Sequence, residues 1–372
     1  MDKSDNFRKL GIDRHFEKAL NELKIEHPTP IQKEAIPLLL STEIDLVAQA
    51  QTGTGKTAAY GLPILQHIDS SKQQVQALIL CPTRELSQQV AKQLFKFTKY
   101  ANRIFAEAVY GGQPMEKQIS ALKRPTHIIV ATPGRLIDLV QRKAVDLKYV
   151  NTVVLDEADE MLSMGFKKEL DQILEFLSEV KQRWLFSATM PDGIKQIIHK
   201  YMDENAYRIN VAKQNTVNEN ITHQYVMCAE NQKTEIVLSF LRTHHGEQGI
   251  VFCRTKSSVK QLSEQLFAKK QSVGAIHGDL YQKERDKVMR AFRNKKINLL
   301  LSTDIAARGI DIADLSFVIH YELPDKDEFY THRSGRTARG GKKGTSLALV
   351  TTGNFDQLKR IEKKLQIRIE KI

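Results

Sequence analysis

Short apolar runs recur along the chain, each closed by a turn rich in Gly, Thr or Pro and followed by a segment of helical periodicity. They fall into two series. The first comprises Ile44 to Val47, Ala77 to Cys81, Ile128 to Ala131, Thr152 to Leu155 and Trp184 to Phe186. The second comprises Gly249 to Cys253, Val273 to Ile276, Leu299 to Leu301, Phe317 to Ile319 and Ser346 to Val350. Strand, turn and helix in that rhythm predict parallel βαβ units. Between the series, Val211 to Asn220 is rich in Asn, Gln, Lys and Thr and reads as a linker. The expected organisation is therefore a first α/β domain over residues 1–210, a linker over 211–220 and a second over 221–372. Ala77 to Arg84 (ALILCPTR) and Gly249 to Lys256 (GIVFCRTK) both end a strand in Cys before a Thr-containing turn, which hints at a duplicated fold. From Asn354 the chain reads as one helix with Phe355, Leu358, Ile361 and Leu365 on a face, then a short strand with which the second lobe ends.

Composition narrows the function classes. A chain of 372 residues exceeds one ordinary domain, which agrees with two lobes. The net charge of +12 suits a polyanionic partner, nucleic acid or an acidic membrane surface. Met1 to Asn6 is polar, and no apolar run approaches the ~20 residues of a membrane span, so a soluble, cytoplasmic protein is expected. Cys81, Cys228 and Cys253 are odd in number and form no CxxC pair, so neither a disulfide framework nor a zinc site is expected. No coiled-coil pattern or long apolar stripe is visible, and the default expectation is a monomer.

The sharpest chemical signal is Ala50 to Thr57 (AQTGTGKT), directly after the first strand. It matches the phosphate-binding P-loop with Ala50 at the first glycine position. Gly53 and Gly55 let the amides of the loop, including that of Thr54, curl around phosphate oxygens. Lys56 adds a cation at the β and γ phosphates, and Thr57 offers a hydroxyl to Mg²⁺. Such a site needs an acid at the end of a neighbouring buried strand, and Asp156, Glu157, Ala158 and Asp159 (DEAD) supply it. Asp156 is suited to hold Mg²⁺, and Glu157 to orient or deprotonate the water that attacks the γ-phosphate. An acidic helix N-cap would account for DEAD alone, but not for its pairing with the P-loop.

With these motifs in this order, nearly the whole chain resembles the DEAD-box family of RNA helicases. The resemblance implies two tandem RecA-like P-loop domains that use ATP and Mg²⁺ and bind RNA. Pro28 to Gln32 (PTPIQ) resembles the family's adenine-recognising motif, which implies Gln32 on the adenine edge and Phe7 as the upstream aromatic. The family has Gly and an aromatic seven residues before the glutamine, whereas this chain has Lys24 and Ile25. The adenine would pack on Ile25, which implies weaker base selectivity. Pro82 to Leu86 (PTREL), Gly111 with Gly112, and Thr132 to Arg135 (TPGR) resemble the elements that line the RNA path. Pro82, Thr83, Arg84, Gly112, Thr132, Pro133, Gly134 and Arg135 are thus the implied RNA contacts of the first lobe. Hydroxyls, Gly amides and arginines are sugar and phosphate ligands without base information, in agreement with that role. Ser187 to Thr189 (SAT) resembles the element coupling nucleotide state to the RNA, through Ser187 and Thr189.

In the second lobe the resemblance implies RNA contacts at Arg254, at Gly278 of His277 to Asp279 (HGD), and at Thr303 of Thr303 to Asp311 (TDIAARGID). Gly309 and Asp311 would approach the ribose and phosphates. His332 to Gly340 (HRSGRTARG) carries Arg333, Arg336 and Arg339 at spacing three, which on one helical face would present several guanidinium groups to one anion. The resemblance makes Arg336 and Arg339 the arginine fingers, and gives His332 and Arg333 contacts to the acid loop and SAT. ATP held by one lobe and fingers on the other imply hydrolysis on closure, with RNA and ATP binding cooperatively. Two rival classes share parts of this pattern: a DNA motor of the same superfamily, and a non-catalytic RNA clamp. PTPIQ, DEAD, SAT and HRSGRTARG together argue against the first; intact Lys56, Glu157, Arg336 and Arg339 argue against the second. Compact length and the lack of an extension after the second lobe suggest a bacterial, minimal core, with the RNA target set elsewhere.

Overall fold

A computed structural model of the protein describes residues 6–51, 53–101, 103–177, 180–211, 220–307, 315–338 and 342–372. The chain divides into two compact units, Met1–Lys213 and Gln214–Ile372. The residues expected to form the linker are, except for Val211 and Asn220, outside the described residues, as are Gly309, Asp311 and Arg339.

In the first unit the strands are β1 (Leu46–Gln49), β2 (Ala77–Leu80), β3 (Ala106–Val109), β4 (Ile128–Ala131), β5 (Thr152–Asp156), β6 (Gln182–Ser187) and β7 (Tyr207–Asn210). In the second they are β8 (Ile221–Met227), β9 (Gly249–Cys253), β10 (Val273–Ile276), β11 (Leu299–Thr303), β12 (Phe317–His320), β13 (Gly344–Val350) and β14 (Glu370–Lys371). Each unit forms one seven-stranded sheet, ordered β3-β4-β2-β5-β6-β1-β7 and β10-β11-β9-β12-β13-β8-β14. The second order is the first advanced by seven strands. All the pairings are parallel. The duplication suggested by ALILCPTR and GIVFCRTK extends to the whole sheet.

The apolar runs became the central strands because helices cover both faces. β2, β4, β5, β9 and β12 are buried at every position. Strands outside this pattern were not foreseen: β3 is mostly half-buried, β7 is largely exposed, and β8 begins with alternating burial through Thr222 and Gln224. β1 starts two residues later than the run Ile44 to Val47 suggests. Asp45 ties that point down by accepting the backbone N–H groups of Arg183 at 2.6 Å and Asp203 at 2.8 Å. Trp184, on β6, is buried in the core, and Cys81 and Cys253 are small buried residues. No helix among the described residues is long and apolar enough to cross a membrane.

Candidate nucleotide and nucleic-acid sites

The loop between β1 and the helix Lys56–His67 is built for close approach. Gly53 and Gly55 take φ of +84° and +91°, which residues with a Cβ rarely adopt. A Cβ on Gly55 would also overlap the Gln32 amide. Thr54 closes the turn by donating from Oγ1 to the Gln51 carbonyl at 2.7 Å. Lys56 is buried, and its Nζ donates to the Ala50 carbonyl at 3.1 Å. A buried ammonium is thus held beside the glycine loop, with Thr57 half-buried next to it in the chain.

At the end of β5, Asp156 is 2 % exposed. Oδ2 accepts the Tyr60 hydroxyl at 2.8 Å, whereas Oδ1 is buried without a partner. Burial pushes this carboxyl up from its ordinary range, and the positive charge of Lys56 and the Tyr60 bond oppose the shift. A buried acceptor left bare costs about 1–3 kcal/mol, so this oxygen is stored demand for a cation. Glu157 follows at φ +53°, ψ +50°, capping the helix Ala158–Ser163. A left-handed non-Gly residue costs roughly 1–2 kcal/mol, and such strain persists where the surrounding structure imposes it.

The acid loop is joined to SAT directly. Asp159 Oδ2 accepts the Thr189 backbone N–H at 2.9 Å and its hydroxyl at 2.7 Å. Ser187 Oγ accepts the Asp159 backbone N–H at 3.3 Å and donates to the Thr189 carbonyl at 2.7 Å. Ser187 and Thr189 are therefore tied to DEAD by hydrogen bonds within this unit.

The implied RNA contacts of the first unit gather at helix starts on the carboxyl side of β2 and β4. Thr83 caps the helix Arg84–Phe97, its Oγ1 accepting the Leu86 N–H at 3.2 Å, with Pro82 buried before it. Arg84 lies over Gly111 and Gly112; a Cβ on Gly112, at φ +85°, would overlap its guanidinium. Thr132, Pro133 and Gly134 open the helix Pro133–Gln141, and the Thr132 N–H donates to the Val109 carbonyl at 3.0 Å. Arg135 Nη1 donates to the Gln113 carbonyl at 3.1 Å and to Gln118 Oε1 at 2.9 Å. The three motifs, dispersed in sequence, form one surface.

At the expected adenine motif, Gln32 is buried and already engaged. Its Oε1 accepts the Thr29 N–H at 2.9 Å, and Nε2 donates to the Gly55 carbonyl at 2.9 Å. It thereby braces the P-loop. Phe7, expected at the cofactor, is 1 % exposed and belongs to the core cluster with Ile12, Phe16 and Leu20. Ile25 is half-buried against the same core, and Lys24 holds φ +59°, a conformation suited to glycine.

In the second unit, Arg254 and Gly278 are exposed, a Cβ on Gly278 would meet nothing, and Thr303 ends β11 half-buried. Arg333 and Arg336 do not share a helical face. The helix Asp327–Ser334 stops at Gly335, Thr337 bridges to Leu315, and Ala338 turns to φ +57°. Arg336, half-buried, lies in the turn beyond the helix. Arg333 is held within its own unit. Its side chain is 1 % exposed and grips Asp304 through Nε at 2.6 Å and Nη2 at 2.7 Å, with Nη1 donating to the Glu322 carbonyl at 2.7 Å. The guanidinium thereby braces this segment of its own unit. His332, its neighbour, is half-buried.

Tyr60, Gln118, Asp304 and Glu322 went unrecognised in the sequence. Tyr60 had a signal, one helical turn after Lys56 and so on its face. Gln118 and Asp304 find their partners 17 and 29 residues away, and spacing carries no trace of that.

The sequence matches the DEAD/DEAH box helicase family over residues 29–197 and the helicase conserved C-terminal domain over residues 232–341. It is 43 % identical over 366 residues to the DEAD-box ATP-dependent RNA helicase CshA of Bacillus cereus, covering 98 % of this chain and 69 % of that protein. It is 39 % identical over 365 residues to the DEAD-box ATP-dependent RNA helicase RhpA of Helicobacter pylori, covering 98 % and 73 %. Among solved structures, Dbp5 of S. cerevisiae bound to RNA and ADP BeF3 is similar with a TM-score of 0.89 and 31 % identity, covering 99 % of this chain and 96 % of that one.

Proposed function

This chain belongs to the DEAD-box family of ATP-dependent RNA helicases, and from that premise we propose how its residues divide the work. ATP binds the first unit, with its phosphates on the amides of Gly53 to Thr57 and on Lys56. Gln32 braces that loop and offers its remaining amide hydrogen and lone pair to the adenine. The half-free Asp156 carboxylate and the Thr57 hydroxyl are hard oxygen donors, so these two would hold Mg²⁺, which supplies charge neutralisation at the phosphates when bound. Glu157 accepts the proton of the attacking water, and Arg336 and Arg339 stabilise the charge that develops on the transferred phosphoryl group. Fingers of that kind contribute about 10³ to 10⁵ in rate.

Single-stranded RNA lies along Pro82 to Arg84, Gly112 and Thr132 to Arg135 on the first unit and Arg254, Gly278 and Thr303 on the second. These are backbone ligands, so binding is independent of sequence. Contacts to the 2′-OH favour RNA over DNA. When the nucleotide state moves DEAD, Asp159 pulls on Thr189 and Ser187, which links hydrolysis to the RNA surface and to local unwinding of short duplexes. The protein works as a cytoplasmic monomer.

The observation that carries this reading is the Lys56 and Asp156 pair, buried together with one carboxylate oxygen bare. Steady-state ATP hydrolysis with and without single-stranded RNA, with matched DNA as competitor, tests it. RNA should raise the rate and DNA should not. A rate equally raised by DNA would favour a DNA motor; negligible single-turnover hydrolysis would favour a clamp.

A further inference from the structure

The helix Met115–Leu122 has one fully buried side chain, and it is an amide: Gln118, 2 % exposed. An amphipathic helix ordinarily buries apolar residues, and a buried polar group is tolerated only when its bonds are made. Those of Gln118 are made on two of the segments argued above to bind RNA. Nε2 donates to the Tyr110 carbonyl at 2.9 Å and to Gln113 Oε1 at 2.8 Å, on either side of Gly111 and Gly112. Oε1 accepts Arg135 Nη1 at 2.9 Å, and the same nitrogen reaches the Gln113 carbonyl at 3.1 Å. One side chain thus fixes the spacing between the glycine loop and TPGR. Leucine or methionine would fill the volume as well but could not fix either direction.

We propose that Gln118 is a positioning residue for RNA: it sets the Gly112 backbone and the Arg135 guanidinium at the spacing of a nucleic-acid backbone and serves no part of the ATP site. The proposal rests on the RNA surface assigned above. Orientation is the mechanism. Arg135 has five N–H donors in a rigid fork, and anchoring Nη1 on Gln118 and Gln113 leaves the fork aimed in one direction. Loss of the amide would free both the loop and the fork, and ordering them again on binding would cost affinity.

The test compares Gln118→Met, Gln118→Glu and Arg135→Ala with wild type in the full chain. Methionine keeps length and burial and makes neither set of bonds; glutamate keeps the acceptor for Arg135 and loses the donor to Tyr110 and Gln113. Gln118→Met should raise the RNA concentration that half-stimulates hydrolysis about tenfold, and Gln118→Glu about threefold, in keeping with two and one lost hydrogen-bond sets. Affinity for a fluorescent ATP analogue without RNA should stay within about twofold in both, since no bond to the P-loop changes. A helix scaffold role alone would lower analogue affinity and RNA response together, and that result would overturn the proposal. So would a wild-type RNA midpoint in Gln118→Met while Arg135→Ala is weakened. If Arg135→Ala is itself unaffected, the assignment of the RNA surface fails instead. Should Gln118→Met not fold, the ratio of RNA midpoint to analogue affinity in Gln118→Glu decides alone: unchanged, it overturns the proposal.

Discussion

The two units share one topology and differ at one place, the carboxyl ends of equivalent strands. By register, Ala77 pairs with Thr152 as Gly249 pairs with Phe317, so Asp156 on the first sheet corresponds to Tyr321 beside the second. After the strands β1 and β8, each unit begins a helix with a buried lysine, Lys56 or Lys233. Lys56 sits under a glycine-rich loop, close enough to the half-free Asp156 to oppose its shift. Lys233 donates to Glu230 at 2.8 Å and lies 5.4 Å from the centre of the Tyr321 ring. Its charge is satisfied. The same scaffold therefore carries a lysine under a glycine loop beside a bare carboxylate oxygen in one unit and a lysine paired with its own neighbour in the other. Function resides in the grafted site and not in the fold.

The largest effect that would break this contrast is at Glu157, the proposed general base, and at the two lysines. Glu157→Gln should lower kcat by about 10³-fold, within the range for a lost general base. Lys56→Met should be comparably damaging, whereas Lys233→Met should leave kcat within about threefold and cost under about 1.5 kcal/mol, because methionine fills the volume and the exposed Glu230 stays hydrated. Steady-state kinetics and urea titrations read both.

Next comes acid. The second unit buries His223 against the Tyr330 hydroxyl at 3.0 Å, and burial holds the imidazole down at about 4 from an ordinary 6.5. Unfolded chains protonate this group first, so the stability contributed by neutral His223 is complete above pH 6.5 and is lost as pH falls towards 4. The loss is about 3 kcal/mol across that window. Urea midpoints at several pH values should show this slope, flattened in His223→Gln.

The smallest effect concerns the adenine side of the first unit. Lys24 at φ +59° occupies a conformation that favours glycine, so Lys24→Gly should stabilise by about 1 kcal/mol. Thermal melting reads that change, and nucleotide affinity should not follow it.

What the sequence disclosed follows the range of the interactions. P-loop, DEAD and SAT are local, each lying at a strand end, and the structure joins DEAD to SAT through Asp159 and Thr189. The central strands were legible because helices bury both faces, whereas β3, β7 and β8 keep polar or exposed positions and gave no apolar run. Spacing misled at Arg333 and Arg336, since three-residue periodicity implies a shared face only while a helix lasts, and this one ends at Ser334. The burial of Phe7 and Arg333 was not legible, because it depends on distant partners.

The most direct test of the contrast is nucleotide stoichiometry, measured by equilibrium titration of a fluorescent ATP analogue with Mg²⁺ into wild type, Lys56→Met and Lys233→Met. One molecule per chain, lost in Lys56→Met and kept in Lys233→Met, is the predicted result. Two molecules per chain, or binding lost in Lys233→Met with the protein folded, would contradict the account.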